Sequence, residues 1–338
     1  MSQATELGGY SLFSDTCFPA IDAFGFENKE ISLFSLGRHC LRAVYLTLVP
    51  DRVLMPQYTC HSVKTVAKDL GMEISYYNLD EGFIPRIRNG KSGDVSLINN
   101  YFGLTAFTSA WSTFLENSIT SHWIVDNTQS LCASNQFERH WSFISPRKFL
   151  PVTDGGILFS PEDGALKVAA IPESTDTSWS RIPWLFRAID ENGRKSSYPE
   201  YLSYRQHEVQ AIEYARMSNV TKYLLQIYDV DSVIRVRNRL FSLLRSAVPI
   251  HPQFDCLLTM KDACPIGYPI KVKSAAKAQA SFAKQSIYCA RFWPELAHSP
   301  DLNSFERYIL ESTLMLPLSG EFSEQNVAMI LEEISAEA

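Results

Sequence analysis

Between residues 31 and 160 the chain alternates short apolar runs with stretches whose apolar positions recur at helical spacing. Arg52–Met55, Glu73–Tyr77, Val95–Ile98, His122–Asp126, Trp141–Ile144 and Ile157–Phe159 have the length and the β-branched or aromatic content of buried strands. From His39 to Leu48, the residues Leu41, Val44, Tyr45 and Leu48 fall on one face, which predicts an amphipathic helix ended by Pro50-Asp51. Thr59-Cys60-His61-Ser62 opens a second helix running to Leu70-Gly71, where the glycine suits a C-cap. A third helix is expected around Ser109–Leu115. Strand and helix taking turns in this way predict an α/β fold with a mainly parallel sheet covered by helices. Its functional loops then belong at the carboxyl ends of the strands.

Past Pro161 the pattern changes. Residues 161–200 are polar and rich in Pro and Ser, and read as an excursion from the sheet. A long helical stretch follows, Tyr201–Tyr228 and then Asp231–Leu244. Alternation resumes on a smaller scale: a strand at Ile270–Val272, a helix at Ala275–Lys284, the segment Phe305–Glu311, a strand at Met315–Pro317, and a closing helix from Ser323 with a capping signal. The expected organisation is an N-terminal arm over 1–30, a large domain over 31–229 that includes the excursion, and a smaller C-terminal α/β domain over 230–338.

Composition narrows the function. A chain of 338 residues is long for a single core, in keeping with two domains. The net charge of −6, with no block of like charge, argues against nucleic acid or an anionic membrane as partner. No apolar run approaches the ~18 residues of a membrane span. The opening residues have neither a basic nor an apolar region, so no signal peptide is expected. Seven cysteines, odd in number and irregular in spacing, form neither a disulfide framework nor a CxxC pattern, and a reducing cytoplasm fits them best. The histidines show no ligand spacing and no metal is expected; Gly37 lacks the other glycines of a dinucleotide-binding loop.

The candidate chemistry gathers around Trp141–Ser160. An apolar run breaks at Ser145-Pro146, presents Arg147 and Lys148, and turns through Asp154-Gly155-Gly156 into the next strand. Burial of Lys148 at that lip would lower its pKa and leave a nucleophilic amine; the alternative is a solvated loop lysine. Asp126 ends an apolar strand, where an aspartate usually serves as a cap but can also act on a ligand. Ser35-Leu36-Gly37-Arg38 stands at a helix start suited to a phosphate. Ser145, three residues before Lys148, can add a hydroxyl to the same anion, and Gly155-Gly156 permits close approach of backbone to a ligand. His39 and His61 begin helices, where they either flank a phosphate or are ordinary helix-start residues. Arg291, beside Phe292-Trp293, reads equally as a substrate-carboxylate partner and as a surface arginine.

A phosphate seat, a carboxylate and a lysine amine are the groups that pyridoxal phosphate requires. In order and spacing the chain resembles the fold-type-I pyridoxal-phosphate enzymes, and within them the DegT/DnrJ/EryC1/StrS sugar aminotransferases. Ile124-Val125-Asp126-Asn127-Thr128-Gln129 resembles the family's Asp-x-x-Gln element, which implies that Asp126 holds the pyridine nitrogen protonated and Gln129 lies against the ring. Ser145-Pro146-Arg147-Lys148 followed by Gly155-Gly156 resembles the segment of the Schiff-base lysine, which implies Lys148. Leu36-Gly37-Arg38-His39 corresponds to the phosphate loop, Pro56–Thr59 to a helix opening, and Arg216-Met217-Ser218 to a later helix start. The likeness runs from about residue 33 to the C-terminus. The chain is shorter than a typical member. It carries Cys60 where an aromatic often stacks on the cofactor, Tyr214 where many have an Asn, and Arg38 where a Thr is usual.

The resemblance implies a fold-type-I transferase with catalytic Lys148 and Asp126, and a cofactor seat of Gly37, Arg38, His39, Cys60, Asp126, Gln129, Ser145 and Lys148. The implied activity is transfer of an amino group from a donor such as glutamate to a nucleotide-linked keto-sugar, by a cytoplasmic homodimer with sites at the interface. The alternatives are another pyridoxal-phosphate reaction, such as a dehydration or aminotransfer to a non-sugar ketone, and a non-catalytic relative acting as a binding module.

Overall fold

The structure, a computed structural model, describes residues 30–105, 109–117, 122–132, 140–162, 164, 166, 182–183, 214–255, 264–285, 287–318 and 324–336. All but Glu30 of the arm expected over 1–30, nearly all of the excursion at 161–200, the first part of the helix expected from Tyr201 and the capping signal at Ser323 lie outside the described residues. The main body comprises β1 (Ile31–Phe34), α1 (Gly37–Leu48), β2 (Arg52–Pro56), α2 (His61–Asp69), β3 (Glu73–Leu79), β4 (Pro85–Arg86), β5 (Val95–Asn99), α3 (Ser109–Glu116), β6 (His122–Asp126), β7 (Trp141–Ile144) and β8 (Gly156–Phe159). After it come α4 (Asn219–Ile227), α5 (Val230–Ala247), α6 (Pro252–Asp255), β9 (Gly267–Lys271), α7 (Ala275–Lys284), α8 (Ser304–Ser312), β10 (Thr313–Pro317) and α9 (Glu324–Ala336).

The first eight strands form one sheet in the order β1-β8-β7-β6-β5-β2-β3-β4. The strands from β7 through β6, β5 and β2 to β3 run parallel. β8 and β1 extend one side antiparallel, and β4 closes the other antiparallel to β3. Strands buried on both faces need two layers of cover. Side chains alternate accordingly: Val53, Met55, Leu97, Ile124, Phe143 and Leu158 pack with Leu41, Val44 and Tyr45 of α1 and Val63 and Val66 of α2. Ile98, Val125, Ile144, Ile157 and Phe159 pack on the opposite side with Trp111 of α3, Leu225 of α4 and Val230 of α5.

The strands and helices expected upstream of Pro161 are present, with shifts of one or two residues at their ends. Gly71 takes the left-handed conformation after α2, with φ 69°, as a C-terminal glycine does. The short edge strands β1 and β4 are additions to the expected pattern. The helix expected to run through Tyr228 is corrected: residues 214–218 are extended, and α4 begins only at Asn219. The reason is competition for the backbone. Ser35 N–H donates to Ala215 O at 3.0 Å and Met217 N–H to Leu33 O at 3.3 Å, so this segment is spent on the β1 edge. The Ser218 hydroxyl then accepts from Thr221 N–H and starts the helix.

The C-terminal part has its own antiparallel pair, β9 with β10, and a core of Leu244, Tyr268, Ile270, Phe282, Leu314, Leu316 and Ile330. An aromatic seam of Tyr58, Phe83, Tyr101, Phe102 and Phe254, with Ile309 and Leu310 of α8, joins it to the loops after β2 and β5. Glu306 fixes the seam. Fully buried, it completes a capping box with Asn303 and accepts from Leu79 N–H at 3.0 Å. Among the described residues no helix is long and apolar enough to cross a membrane.

Candidate active site

Strand order places the site. The chain leaves β2 toward β3 and returns on the other side of β2 as β5, so the connections diverge between β2 and β5. A crevice opens at the carboxyl ends of strands at such a point. Thr59, just past β2, and Asn99, the last residue of β5, meet there, with Asn99 Nδ2 donating to Thr59 Oγ1 at 2.8 Å. Asn99 stands opposite Asp126 in the β5–β6 register. Alternation along the strands puts both on the α1 side, in line with Leu97 and Ile124.

Asp126 is 8% exposed. Its Oδ1 accepts from Thr128 N–H at 2.9 Å, the local turn a short acidic side chain makes with the backbone two residues on. Beside it, burial pushes the Cys40 thiol and the Tyr45 phenol well up, and the Asp126 charge adds to both effects. The Asn127 side chain accepts from Asn100 Nδ2, joining the turns after β5 and β6.

Lys148 ends a single helical turn, Pro146–Lys148, after β7. Its Nζ donates to Thr128 Oγ1 at 2.8 Å. Of the two sequence readings, burial and a solvated loop, the exposure of the side chain favours the second, although its Nζ is bonded to the buried Thr128. Neighbouring Leu150 and Pro146 supply the anchoring burial instead. Gly37, the first residue of α1, backs onto the same turn: a Cβ there would lie 3.2 Å from Thr128 Cγ2 and 3.5 Å from Phe143. Leu36, at the N-cap, gives α1 no side-chain cap.

The remaining expected residues fall around this centre. Ser145, 3% exposed, donates to Gly155 O at 3.2 Å. His39 turns the other way: its Nδ1 lies 2.8 Å from Ser35 Oγ and accepts from Ala215 N–H, while its ring meets Tyr214 edge-on. Arg38 is half-buried; burial lowers its pKa, against the opposing pull of Cys60 and Asp69. Cys60 holds the N-cap position of α2 without capping it by its side chain, and its Sγ lies 3.1 Å from Ser62 Oγ. Gln129 commits Oε1 to Phe102 N–H at 2.6 Å, and its carbonyl accepts from Ile266 N–H at 2.9 Å. His61 is exposed. Arg291 follows the Ala290–Met315 bridge beside β10, half-buried, with its Nε lacking a partner.

Gly155-Gly156 also receives a different explanation. A Cβ on Gly156 would sit 2.5 Å from Leu36 O and 2.9 Å from Cys40 Sγ. Gly155 N–H donates to Ser35 O at 2.6 Å with φ at 134°. The pair therefore serves the close packing of β8 on the β1–α1 turn. Sequence reasoning passed over Thr59, Asn99, Asn100, Asn127 and Thr128. Their signal was present as polar residues at the ends of apolar strands.

No model of a known protein family matches the sequence, and no curated protein matches it. Solved structures do match the architecture. A DegT DnrJ EryC1 StrS aminotransferase from Brucella abortus superposes with a TM-score of 0.60 at 15% identity, over 93% of this chain and 87% of that one. The fold is that of the fold-type-I pyridoxal-phosphate transferases. The sugar aminotransferase CalS13 from Micromonospora echinospora gives a TM-score of 0.58 at 12% identity, over 90% and 87% of the two chains. NtdA from Bacillus subtilis, solved with the cofactor PMP bound, gives 0.57 at 14% identity, over 95% and 77%.

Proposed function

We propose that the chain is a pyridoxal-phosphate-dependent aminotransferase that moves an amino group from an amino acid such as glutamate to a nucleotide-linked keto-sugar. The observation that carries this reading is the Lys148 amine, held 2.8 Å from Thr128 Oγ1 in the turn opened by Asp126. The solved neighbours that are sugar aminotransferases support the acceptor class.

The residues present suit the cofactor. Asn99 Oδ1 is buried without a hydrogen-bond partner at the switch point, beside the buried Asp126. A buried polar atom left so is costly unless a ligand or water reaches it. Bound pyridoxal phosphate supplies an electron-accepting ring that stabilises negative charge on a substrate carbon. Lys148 is the residue that would hold its aldehyde carbon. Asp126 would keep a proton on the pyridine nitrogen by opposing charge. The start of α1 at Gly37-Arg38, together with Ser145, would hold the phosphate. Cys60 and Thr59, between β2 and α2, would line the seat of the ring. When it is not holding the cofactor, the Lys148 amine would take a proton from the donor's α-carbon and give one back, as a general base and acid. Thr128 Oγ1 orients that amine between transfers.

The division into a large domain over 31–229 and a small one over 230–338 belongs to the same proposal, with the core around Tyr268, Ile270, Phe282 and Leu314 in its favour. So do a cytoplasmic location and a homodimer with sites at the interface. Lys148 is exposed in a single chain, and a second copy would cover that lip. The test is an assay of purified protein loaded with pyridoxal phosphate, supplied with glutamate or glutamine and a panel of nucleotide-linked keto-sugars and simple keto acids. Formation of an amino-sugar supports the proposal; turnover only of non-sugar ketones, or only elimination of water, would move it to the other reactions of this cofactor.

A further inference from the structure

Just beyond Gln129 the turn after β6 meets the segment leading into β9. Ser130 bridges Pro265, and Leu131 N–H donates to Cys264 O at 3.0 Å. Ser130 Oγ lies 2.5 Å from Cys132 O and 3.3 Å from Cys264 O. The two chain segments are thus clamped side by side, with a cysteine on each. The thiols are hydrogen-bonded to one another, and that bond, with the Arg237 charge, lowers the Cys264 pKa against the effect of burial. Cys264 is fully buried, whereas Cys132 is half-exposed. Arg237 completes the cluster. Its guanidinium donates to Pro265 O at 2.8 Å and Ile266 O at 2.9 Å, and lies 4.9 Å from the ring centre of Phe149, the neighbour of Lys148.

We propose that Cys132 and Cys264 are a redox modification site, closed to a disulfide by hydroperoxides. The reaction needs an accessible thiolate to meet the oxidant and a second, close thiolate to resolve it. Cys132 is the accessible one. Its sulfur passes its proton along the hydrogen bond to Cys264 and attacks the peroxide O–O bond, taking one oxygen as a sulfenic acid while the other leaves, protonated by solvent, as water or alcohol. Cys264, kept reactive by the hydrogen bond and by Arg237, then attacks the Cys132 sulfur and displaces its oxygen as water. Two thiols lose two electrons and two protons, and the hydroperoxide gains them. The bond so formed makes permanent a junction now held by hydrogen bonds, between the turn that carries Asp126–Gln129 and the entry to β9. A dithiol reductant reverses it by exchange. The proposal is independent of the cofactor reading.

The test treats the full-length chain with hydrogen peroxide near stoichiometry, alkylates the remaining thiols in denaturant and maps the peptides. The expected product is one linked pair, Cys132 with Cys264, that disappears with dithiothreitol and fails to form in Cys132→Ser or in Cys264→Ser. Cys289, whose buried thiol is pushed up to about 12, is the internal control and stays alkylatable. Oxidation of Cys132 to sulfinic acid with Cys264 still alkylatable, a linkage of either residue to a different cysteine, or no reaction at either would each overturn the proposal.

Discussion

Lys148 Nζ and Thr128 Oγ1 lie 2.8 Å apart, twenty positions distant in sequence, and Thr128 N–H also donates to Asp126 Oδ1 at 2.9 Å. One threonine thus ties the amine to the carboxylate through the ends of two adjacent parallel strands. This link requires β6 and β7 to be in register, with Ile124 opposite Trp141 and Asp126 opposite Phe143. A slip of one residue would turn Asp126 to the α3 side of the sheet.

Replacing Asp126 by Asn keeps the side chain's size and an acceptor for Thr128 N–H, while removing the charge. Transfer activity is expected to fall by about 10²–10³, the range found for loss of a single preformed electrostatic contact in other enzymes. Circular dichroism should be unchanged. Wild-type activity in this variant would reduce Asp126 to a turn residue.

The phosphate seat is tested by titrating pyridoxal phosphate into Ser145→Ala and Arg38→Ala apoproteins. Both are expected to bind more weakly, by roughly tenfold or more for a lost charge-assisted contact. Normal cofactor affinity with poor acceptor binding in the Arg38 variant would assign that guanidinium to the substrate.

Gly156→Ala tests the packing of β8 on the β1–α1 turn. The new methyl would meet backbone at 2.5 Å, with no side chain able to yield. Overpacking of this kind costs about 1–3 kcal/mol, read as a lower urea midpoint. An unchanged midpoint would show that the turn has room to move.

His251 makes stability depend on pH. Burial, then the Lys271 charge, brings its pKa from the usual 6.5 down to about 4. The unfolded chain therefore binds a proton on this ring between about pH 6.5 and 4 that the folded chain refuses. Its contribution is fully present above pH 6.5 and is lost as pH falls toward 4. Urea midpoints taken across that window should decline less in His251→Asn than in wild type; parallel curves would mean that other groups set the slope.

Much of this fold could be read from alternation alone, because buried parallel strands are continuous apolar runs and α1 shows its face at Leu41, Val44 and Tyr45. Residues 214–218 could not, since an extended segment that completes the β1 edge leaves no periodic mark. For the site, sequence pointed to Asp126 and Lys148 but not to Thr128, which supplies their connection only after two strands pair. It also assigned Gly155-Gly156 to a ligand, although a glycine demanded by a carbonyl across a turn looks the same in one dimension. The contacts of Gln129 and His39 were not legible either: Gln129 Oε1 accepts from Phe102 N–H and His39 meets Tyr214 edge-on, partners that lie 27 and 175 positions away.

The central claim is that Lys148 carries pyridoxal phosphate, and the absorbance spectrum tests it most directly. Protein purified with the cofactor is expected to show a visible band that borohydride bleaches, leaving the pyridoxyl group fixed to the peptide containing Lys148. Lys148→Ala should take up the cofactor without that band and without turnover. The same band in Lys148→Ala, or a borohydride-fixed label on another lysine, would contradict the account.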